Sequence, residues 1–316
     1  MGQLVNGKWV PDAEVPRSRQ GEFVRGRSGI RDWITNDGTS PFPAEVGRYL
    51  LYVSYACPWA HRTLVARALK GLNKAIDVAI VDWHMTDDGW HFSTRDGANA
   101  DPVADRRFLR DVYTASHPDY SGRVSVPVLW DKATGRIVNN ESAEIVRMLN
   151  GAFDAQAEND LDLYPEALRR EIDAINDAVY GRVNNGVYKC GFAGTQEAYE
   201  AAFDTLFDEL DSLERRLDTR QFLVGDQVTE ADIRLFTTLV RFDAAYHTHF
   251  KCNLRRLADY PNLSAYLERV LKLPGVAETV NMHHIKWHYF HSHRSINPLG
   301  IVPKGPDLRF ADLLPR

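Results

Sequence analysis

The sequence of 316 residues predicts a two-domain protein, an N-terminal α/β domain followed by an all-α domain. Between residues 46 and 150, apolar runs typical of strands alternate with helical patterns. From residue 165 to 296, the apolar periodicity is helical throughout. We expect an N-terminal extension over residues 1–45 and a C-terminal extension over residues 297–316, which contains four prolines.

The N-terminal extension is rich in glycine, proline and charged residues, which favours an extended arm. Residues 5–9 predict a small hairpin around an Asn-Gly turn. Phe23, Ile30 and Trp33 are apolar anchors that favour a docked arm. A floppy leader is the alternative, and the composition alone leaves both open.

The α/β domain begins with a predicted strand over residues 49–53, followed by a helix that ends just before Gly71. Residues 76–81 predict the second strand. A helix between two such strands implies a right-handed unit with parallel strands. A long polar insertion follows, from about residue 82 to 123, with a predicted helix over residues 104–113. Connections of this length are usually functional or partly disordered.

Two further strands, over residues 124–130 and 136–139, predict a hairpin. Pro127 within the first strand pattern implies a sheet edge, a bulge or a cis peptide bond. Glu141 and Ser142 open the next predicted helix, with Ser142 as its N-cap. The order βαβ and then ββα is typical of a four-stranded mixed sheet of thioredoxin type.

The second domain is predicted to be all-helical, with amphipathic patterns in five segments. Thr229 and Asp232 are spaced as a capping box that opens one of these helices. The predicted helices cover residues 167–182, 196–217, 230–246, 263–271 and 276–284.

Cys57 is the strongest candidate for chemistry, because it lies where a predicted strand turns into a helix. Pro58 suits the first helical turn, so Cys57 falls at or next to the N-cap. A thiol there can have its pKa lowered from about 8.5 to between about 3.5 and 7.5, which makes it a nucleophilic thiolate at neutral pH. Ala60 stands where a dithiol motif would carry its second cysteine, so an outside thiol must resolve any mixed disulfide. A buried, inert cysteine is the plainer interpretation.

The composition excludes several classes of function. The net charge of −5 gives no electrostatic reason to expect nucleic acid as a partner. No apolar run approaches a membrane span, and the N-terminus does not resemble a signal peptide. Three cysteines do not make a disulfide framework, so we expect a reducing, cytoplasmic location.

The motifs together closely resemble the glutathionyl-hydroquinone reductases, the Xi class of the glutathione transferases, over residues 20–310. Shared features of the wider superfamily are a catalytic residue at the first strand–helix turn, Val126-Pro127 before the third strand, and Glu141-Ser142 at the third helix. The more specific motifs are Cys57-Pro58-Trp59-Ala60, Ser125 to Asp131, Asn139 to Ser142, Gly186 to Lys189, Tyr289 to His293, Ile296 to Pro298 and Gly300 to Pro303.

The resemblance implies the glutathione transferase fold, a homodimer and a reaction on aromatic glutathione thioethers. Cys57 would attack the sulfur of a glutathionyl-hydroquinone, release the hydroquinone and form a mixed disulfide. A second glutathione, as co-substrate, would then release oxidised glutathione. The implied glutathione-binding residues are Trp90, Arg123, Val126, Glu141 and Ser142, and the implied substrate-site tyrosines are Tyr188 and Tyr289.

The chemistry of the residues that bind glutathione is compatible with these roles. The extended backbone of Val126 can pair with the cysteinyl backbone of glutathione like an added strand. Ser142 at a helix start can hold the γ-glutamyl carboxylate, and Glu141 can take the amine. Arg123 can reach the glycyl carboxylate and Trp90 can wall the site. The plainer interpretations are an edge proline beside Val126, a capping serine, a solvated arginine and a docking tryptophan.

Tyr188 and Tyr289 can hydrogen-bond the hydroxyl groups of an aromatic diol, and two phenols can bracket two such hydroxyls. A phenol can also assist protonation of the leaving carbon. Core packing is the plainer interpretation of each tyrosine.

Three other sets of residues are weaker candidates for a functional site. His284 and His288 are four residues apart and could bind zinc on a helix, but no carboxylate lies close in sequence, so we expect no metal. His61 is expected to face solvent, and Cys190 and Cys252 are expected to be structural.

Other functions are compatible with the same sequence. A different cysteine-type thiol transferase, such as a dehydroascorbate reductase or a protein deglutathionylase, fits the same nucleophile. A conjugating transferase is disfavoured, because Cys57 itself attacks sulfur. A non-catalytic glutathione- or ligand-binding protein is the alternative outside the enzymes.

Overall fold

The computed structural model describes residues 2–11 and 14–315. Internal contacts divide the chain into two compact units. The α/β unit comprises the residues up to Glu14 together with Gly26–Leu161, and the helical unit comprises Val15–Arg25 together with the chain from Asp162 onward.

The N-terminal arm is docked on the α/β unit. Strands β1 (Gln3–Val5) and β2 (Lys8–Val10) form the predicted hairpin, with φ of 49° at Asn6 and 74° at Gly7, as an Asn-Gly turn requires. Leu4 exchanges two backbone hydrogen bonds of 2.9 Å with Gly122, which ties the hairpin to the polar insertion. The docked alternative is therefore confirmed for this segment.

A second part of the arm runs along the edge of the central sheet. The Ile30 carbonyl accepts a hydrogen bond of 3.0 Å from the Asn140 N–H, and the Asp32 N–H donates to the Val138 carbonyl at 2.9 Å. Ile30 is buried, as expected for a residue that docks the arm. Trp33 is 40% exposed, so it contributes less to docking of the arm than the sequence suggests. Two short strands, β3 (Ile34–Thr35) and β4 (Phe42–Pro43), pair in parallel beyond this edge.

The central sheet has four strands in the order β6-β5-β7-β8, which confirms the predicted mixed sheet. The pair β5–β6 is parallel, and the pairs β5–β7 and β7–β8 are antiparallel. Every residue of β5 is buried, as expected for a strand inside a sheet covered by helices. The strands are β5 (Tyr49–Val53), β6 (Ile76–Ile80), β7 (Val128–Asp131) and β8 (Arg136–Asn139).

The predicted strand over residues 124–130 is too long at its start. The ladder begins at Val128, because Pro127 has no N–H to donate to a neighbouring strand. The Val126–Pro127 peptide bond is cis, which is one of the three alternatives that the sequence left open.

The α/β unit contains helices α1 (Pro58–Leu69), α2 (Leu109–Ser116) and α3 (Ser142–Gly151). Helix α1 ends before Gly71 as predicted, with φ of 67° at that glycine. Helix α2 begins five residues later than the predicted start at residue 104, where the Asp111 carboxylate accepts a hydrogen bond from the Phe108 N–H at 3.1 Å. The insertion that holds α2 is folded along its described length rather than disordered.

The helical unit contains seven α-helices within its described residues. The Thr229 N–H donates to the Asp232 carboxylate at 2.8 Å, which confirms the predicted capping box. The helices are α4 (Arg169–Ala178), α5 (Gly186–Phe192), α6 (Gln196–Arg216), α7 (Glu230–Arg241), α8 (His247–His249), α9 (Pro261–Leu271) and α10 (Met282–Trp287).

The helix predicted over residues 230–246 has the predicted extent, whereas the one predicted over residues 276–284 was wrong in extent. The helix predicted over residues 230–246 is α-helical only to Arg241 and continues as a π-helical turn over Phe242–Tyr246. The helix predicted over residues 276–284 is a 3₁₀ turn over Ala277–Thr279, followed by α10. Asn281 caps α10 by accepting a hydrogen bond of 2.9 Å from the His284 N–H, so the helix starts there.

The C-terminal tail is irregular, as predicted, apart from one 3₁₀ turn over Ala311–Leu313. Phe310 is buried within the helical unit, and the Lys286 ammonium donates to the carbonyls of Lys304 and Gly305 at 2.9 and 3.0 Å. Among the described helices, none has both the length and the apolar character needed to cross a membrane.

Candidate active site

Cys57 is the N-cap residue of α1, with extended backbone dihedrals and Pro58 at the first helical position. The strand–turn–helix placement predicted from the sequence is therefore confirmed. The side chain is half-buried, and its Sγ lies 3.6 Å from the carbonyl oxygen of Val126. The N-terminal N–H groups of α1 and its dipole favour negative charge at this end of the helix. The arrangement suits a thiolate that remains accessible to a ligand.

The loop that carries Val126 is fixed by a buried tyrosine. The Tyr113 hydroxyl donates to the Ser125 carbonyl at 2.8 Å and accepts from the Asn140 side-chain amide at 3.1 Å. Tyr113 and Asn140 are both buried. This network connects the loop before β7 with the loop before α3, so it holds Val126 and Glu141 in a defined relation.

Glu141 and Ser142 lie at the start of α3, but the prediction of Ser142 as the N-cap was wrong. Glu141, not Ser142, is the N-cap: its carboxylate accepts from the Ala143 N–H at 3.2 Å and from the Ser28 hydroxyl at 3.0 Å. Ser142 is the first helical residue and is buried. A glutamate is an uncommon N-cap, which is why the sequence favoured the neighbouring serine.

Arg123 and Trp90 belong to the same unit and lie in the polar insertion. The Arg123 guanidinium donates to the carbonyl oxygens of Glu14 at 2.6 Å and Gly2 at 3.4 Å, and burial lowers its pKa. Carbonyl groups hold the guanidinium in place without cancelling its charge. Trp90 is buried, and its carbonyl accepts from the Leu109 N–H at 3.0 Å, at the start of α2.

The helical unit brings together three tyrosine hydroxyl groups. The Tyr188 and Tyr289 hydroxyls are 2.6 Å apart, and the Tyr246 hydroxyl lies 3.0 Å from that of Tyr289. Tyr246 and Tyr289 are fully buried, whereas Tyr188 is partly exposed. Tyr188 is therefore the least buried of the three tyrosines.

Burial raises the pKa of Tyr289 and of Tyr246 well above the usual 10, and the neighbouring Tyr188 adds to the effect at both. The charge of buried Arg241 opposes it. Both hydroxyls are therefore neutral donors at physiological pH. The two tyrosines predicted from the sequence meet at one point rather than on two sides of a ring, which differs from the expected bracket around a diol.

A π-helical turn accompanies each of the three tyrosines. Val179–Asn184 precedes α5 and Tyr188, Phe242–Tyr246 ends in Tyr246, and His288–Ser292 contains Tyr289. Such turns are rare and occur frequently at functional sites, because the extra residue redirects the side chains that follow.

Tyr246, Tyr113 and Asn140 were not predicted from the sequence as residues of these clusters. Tyr246 carried no motif of its own, because it lies at the end of a predicted helix, where an aromatic residue is expected to be core. Asn140 stood inside a motif that had been singled out, but its contact with Tyr113 joins positions that are 27 residues apart. Pairs of this kind have no local signature in the sequence.

Three other predictions concern residues outside these clusters. His61 does not face solvent: it is fully buried within α1, so that expectation was wrong. Cys190 and Cys252 are both buried free thiols, and burial together with the Cys190 thiol raises the pKa of Cys252 well above its usual value. No group of three metal-binding side chains is assembled among the described residues.

Comparison with known protein families matches both units. Residues 56–152 match the model of the N-terminal domain of glutathione S-transferases, and residues 196–269 match that of the C-terminal domain. The chain is 53% identical over 306 residues to the glutathionyl-hydroquinone reductase PcpF of Sphingobium chlorophenolicum, with 97% of this chain and 96% of that protein covered.

Solved structures agree with this result. The Xi-class glutathione transferase of Natrialba magadii superposes with a TM-score of 0.92 at 47% identity, over 98% of this chain and 95% of the other. The glutathione-bound structure of YqjG from Escherichia coli K-12 superposes with a TM-score of 0.90 at 49% identity, over 97% and 96% of the two chains. The similarity thus extends over nearly the whole chain.

Proposed function

The chain belongs to the glutathionyl-hydroquinone reductases, the Xi class of the glutathione transferases, and from this membership we infer that it reduces glutathionyl-hydroquinones to hydroquinones. The observation that supports the mechanism most strongly is the position of Cys57 at the N-cap of α1, with its side chain partly exposed. A nucleophilic thiol at a helix start, without a second cysteine beside it, suits transfer of one glutathionyl group.

The reaction proceeds in two nucleophilic attacks on sulfur, of which only the second is a thiol–disulfide exchange. In the first, the Cys57 thiolate attacks the sulfur of the glutathionyl-hydroquinone, the sulfur–carbon bond breaks, and the aromatic carbon takes up a proton. Cys57 is then a mixed disulfide with glutathione. In the second, a glutathione thiolate attacks the sulfur of that glutathionyl group, which releases oxidised glutathione and regenerates the Cys57 thiolate. The sum converts one thioether and one glutathione into hydroquinone and oxidised glutathione.

Glutathione is the co-substrate, and the α/β unit supplies the groups that suit its parts. The E. coli relative has been solved with glutathione bound. In this chain, Val126 offers backbone groups beside Cys57, and the start of α3 at Ser142 favours a carboxylate. The Glu141 carboxylate suits the amine, although it is already engaged by Ala143 and Ser28.

Arg123 and Trp90 complete the proposed glutathione site. The Arg123 guanidinium is held by two backbone carbonyls and keeps its charge, so it suits the glycyl carboxylate of glutathione. Trp90 is buried and provides a rigid apolar wall.

Tyr188 and Tyr289 act on the aromatic part of the substrate. The neutral hydroxyl of Tyr188, backed by that of Tyr289, donates a hydrogen bond to the hydroquinone oxygen and stabilises the charge that develops when the sulfur–carbon bond breaks. The homodimer that the family resemblance implies is part of the same proposal. So is a cytoplasmic location, since glutathione is kept reduced in the cytosol.

A side-by-side activity screen tests the function. Wild-type protein is assayed against glutathionyl-hydroquinones, dehydroascorbate and an electrophilic conjugation substrate, with glutathione in each assay. Turnover greatest with the glutathionyl-hydroquinones supports the proposal. Greater turnover with dehydroascorbate would favour the alternative thiol transferase, and turnover that persists after Cys57→Ser would contradict the covalent mechanism.

A further inference from the structure

Residues Val15–Arg25 form a hairpin that belongs to the helical unit, although the chain on either side belongs to the α/β unit. The Ser18 N–H donates to the Glu22 carbonyl at 2.8 Å, and the Val24 N–H donates to the Pro16 carbonyl at 2.9 Å. These bonds close the hairpin on itself. We call this segment the Val15–Arg25 hairpin.

The hairpin is fastened to the junction of α5 and α6 by hydrogen bonds to the backbone. The Gly194 N–H donates to the Gly21 carbonyl at 2.8 Å, and the Arg17 guanidinium donates to the Phe192 carbonyl at 2.9 Å. Gly21 has φ of +86°, and a Cβ there would lie 2.7 Å from the Thr195 methyl group. Only glycine fits this close approach, so the docked position of the hairpin is defined.

The far end of the hairpin covers the ring of Tyr188. The Arg25 guanidinium carbon lies 4.6 Å from the centroid of the Tyr188 ring and 5.2 Å from that of Phe23. The Phe23 ring in turn lies 5.6 Å from Phe192. Arg25 Nε donates to the Asn185 side-chain oxygen at 2.6 Å, and Asn185 is buried at the start of α5. The guanidinium therefore has a fixed place on the phenol face.

A cation on the face of a phenol changes what the phenol can do. It attracts the electrons of the ring, which makes the hydroxyl a stronger hydrogen-bond donor and stabilises negative charge nearby. The hydroxyl concerned is that of Tyr188, the accessible end of the tyrosine chain. Packing alone would not require a cation at this place, because Phe23 already supplies apolar contact with Phe192.

We propose that Arg25, held by Asn185, is a positioning residue for hydroquinone release, and that it acts through the Tyr188 ring. The inference rests on the proposed role of Tyr188 and extends it to a residue of the N-terminal arm. It also assigns a role to Asn185, which holds the guanidinium in register with the ring.

The test is a double-mutant cycle between Arg25 and Tyr188, with two substrates. One substrate is a glutathionyl-hydroquinone, and the other is the mixed disulfide of glutathione and 2-mercaptoethanol, which has no phenol. Arg25→Gln should lower kcat for the glutathionyl-hydroquinone about tenfold with KM within about twofold, the scale of a partly desolvated cation–π contact. In the Tyr188→Phe background, the same change should cost less than about twofold. Turnover of the mixed disulfide should stay within about twofold throughout.

Arg25→Lys keeps the cation and should restore part of the lost kcat. Arg19→Gln is the matched control, because it removes the same charge from the exposed turn of the hairpin and should leave both activities unchanged. If Arg25→Gln does not fold, Asn185→Ala frees the guanidinium instead and should give the same selective loss of kcat.

Equal losses on both substrates, or additive losses in the cycle, would overturn the role of Arg25. Failure of the proposed function looks different: wild-type protein would not turn over the glutathionyl-hydroquinone, or Tyr188→Phe would have no effect on it. The two failures are therefore distinguishable in one set of assays.

Discussion

The hydroxyl oxygens of Tyr188 and Tyr289 lie 2.6 Å apart, and this hydrogen bond joins positions 101 residues apart in the chain. The hydroxyl oxygen of Tyr246 lies 3.0 Å from that of Tyr289 and adds a second hydrogen bond to the series. Two of the three phenols are sealed from solvent, and Tyr188 is the least buried of the three. The three hydroxyls thus form one connected hydrogen-bond network rather than separate contacts.

Tyr188→Phe should slow the reduction of glutathionyl-hydroquinones by about 10²-fold in kcat/KM, the lower end of what a positioned proton donor contributes. Turnover of an aliphatic glutathione mixed disulfide should change little, because its leaving group is a thiolate that needs no phenol. Steady-state kinetics on both substrates measure the difference. A similar loss on both would show damage to the fold rather than loss of a donor.

Tyr246→Phe provides the graded comparison. It removes the most buried hydroxyl of the chain, which supports Tyr289 without reaching the accessible end. One hydrogen bond of this kind is worth about 1 kcal/mol, so we expect a loss of about fivefold on the aromatic substrate. A loss of kcat/KM larger than that of Tyr188→Phe would contradict the proposal that Tyr188, and not Tyr246, contacts the substrate.

The pH dependence of the reaction follows from the burial of the same groups. An acid whose pKa is raised stays protonated to higher pH, and the pKa values of Tyr246 and Tyr289 are raised well above 10. The rate with glutathionyl-hydroquinones should therefore show no fall caused by these hydroxyls between about pH 7 and pH 9.5. A descending limb in that range that disappears in Tyr289→Phe would contradict the assignment.

The ion pair between Arg48 and Asp131 should stabilise the central sheet. The two nitrogen–oxygen distances are 2.8 and 2.7 Å, and the Asp131 side chain is fully buried. Asp131→Asn should lower the free energy of unfolding at pH 7 by about 3 kcal/mol, because it leaves a largely buried guanidinium without its charged partner. Asp77→Asn, which breaks the more exposed pair with Lys132, should cost less than about 1 kcal/mol. Equal costs in denaturant unfolding would argue against this difference.

The stabilisation by the Arg48–Asp131 ion pair should be lost at acidic pH. Hydrogen bonds from Arg48 and Thr134 hold the pKa of Asp131 below its usual 3.8, against the effect of burial. The pair therefore stabilises the fold fully above about pH 4, and the stabilisation is lost as the pH falls through the lower, folded-state value. The difference between wild type and Asp131→Asn should shrink over that acidic range.

The sequence predicted the elements whose signals are local. The Asn-Gly hairpin at Asn6 and Gly7, the helix stop at Gly71 and the capping box of Thr229 and Asp232 were all predicted correctly. In each case a short-range backbone requirement selects the residue type. The position of Cys57 was also predicted correctly from a local signal, because a strand followed by Pro58 defines a helix start.

What could not be predicted depends on contacts between distant positions. The N-cap of α3 is Glu141 rather than Ser142, and its carboxylate is also held by Ser28, 113 residues away. The buried state of His61 depends on what covers α1, and the π-helical turn that ends at Tyr246 interrupts a continuous helical pattern. The placement of residues 15–25 in the helical unit has no signature in the local composition.

The most direct test of the mechanism is mass spectrometry of the full-length protein after reaction with one equivalent of glutathionyl-hydroquinone and no free glutathione. We predict that hydroquinone is released and that one glutathionyl group is found on Cys57, to be removed when glutathione is added. Release of hydroquinone with no adduct, or with the adduct on Cys190 or Cys252, would contradict the account.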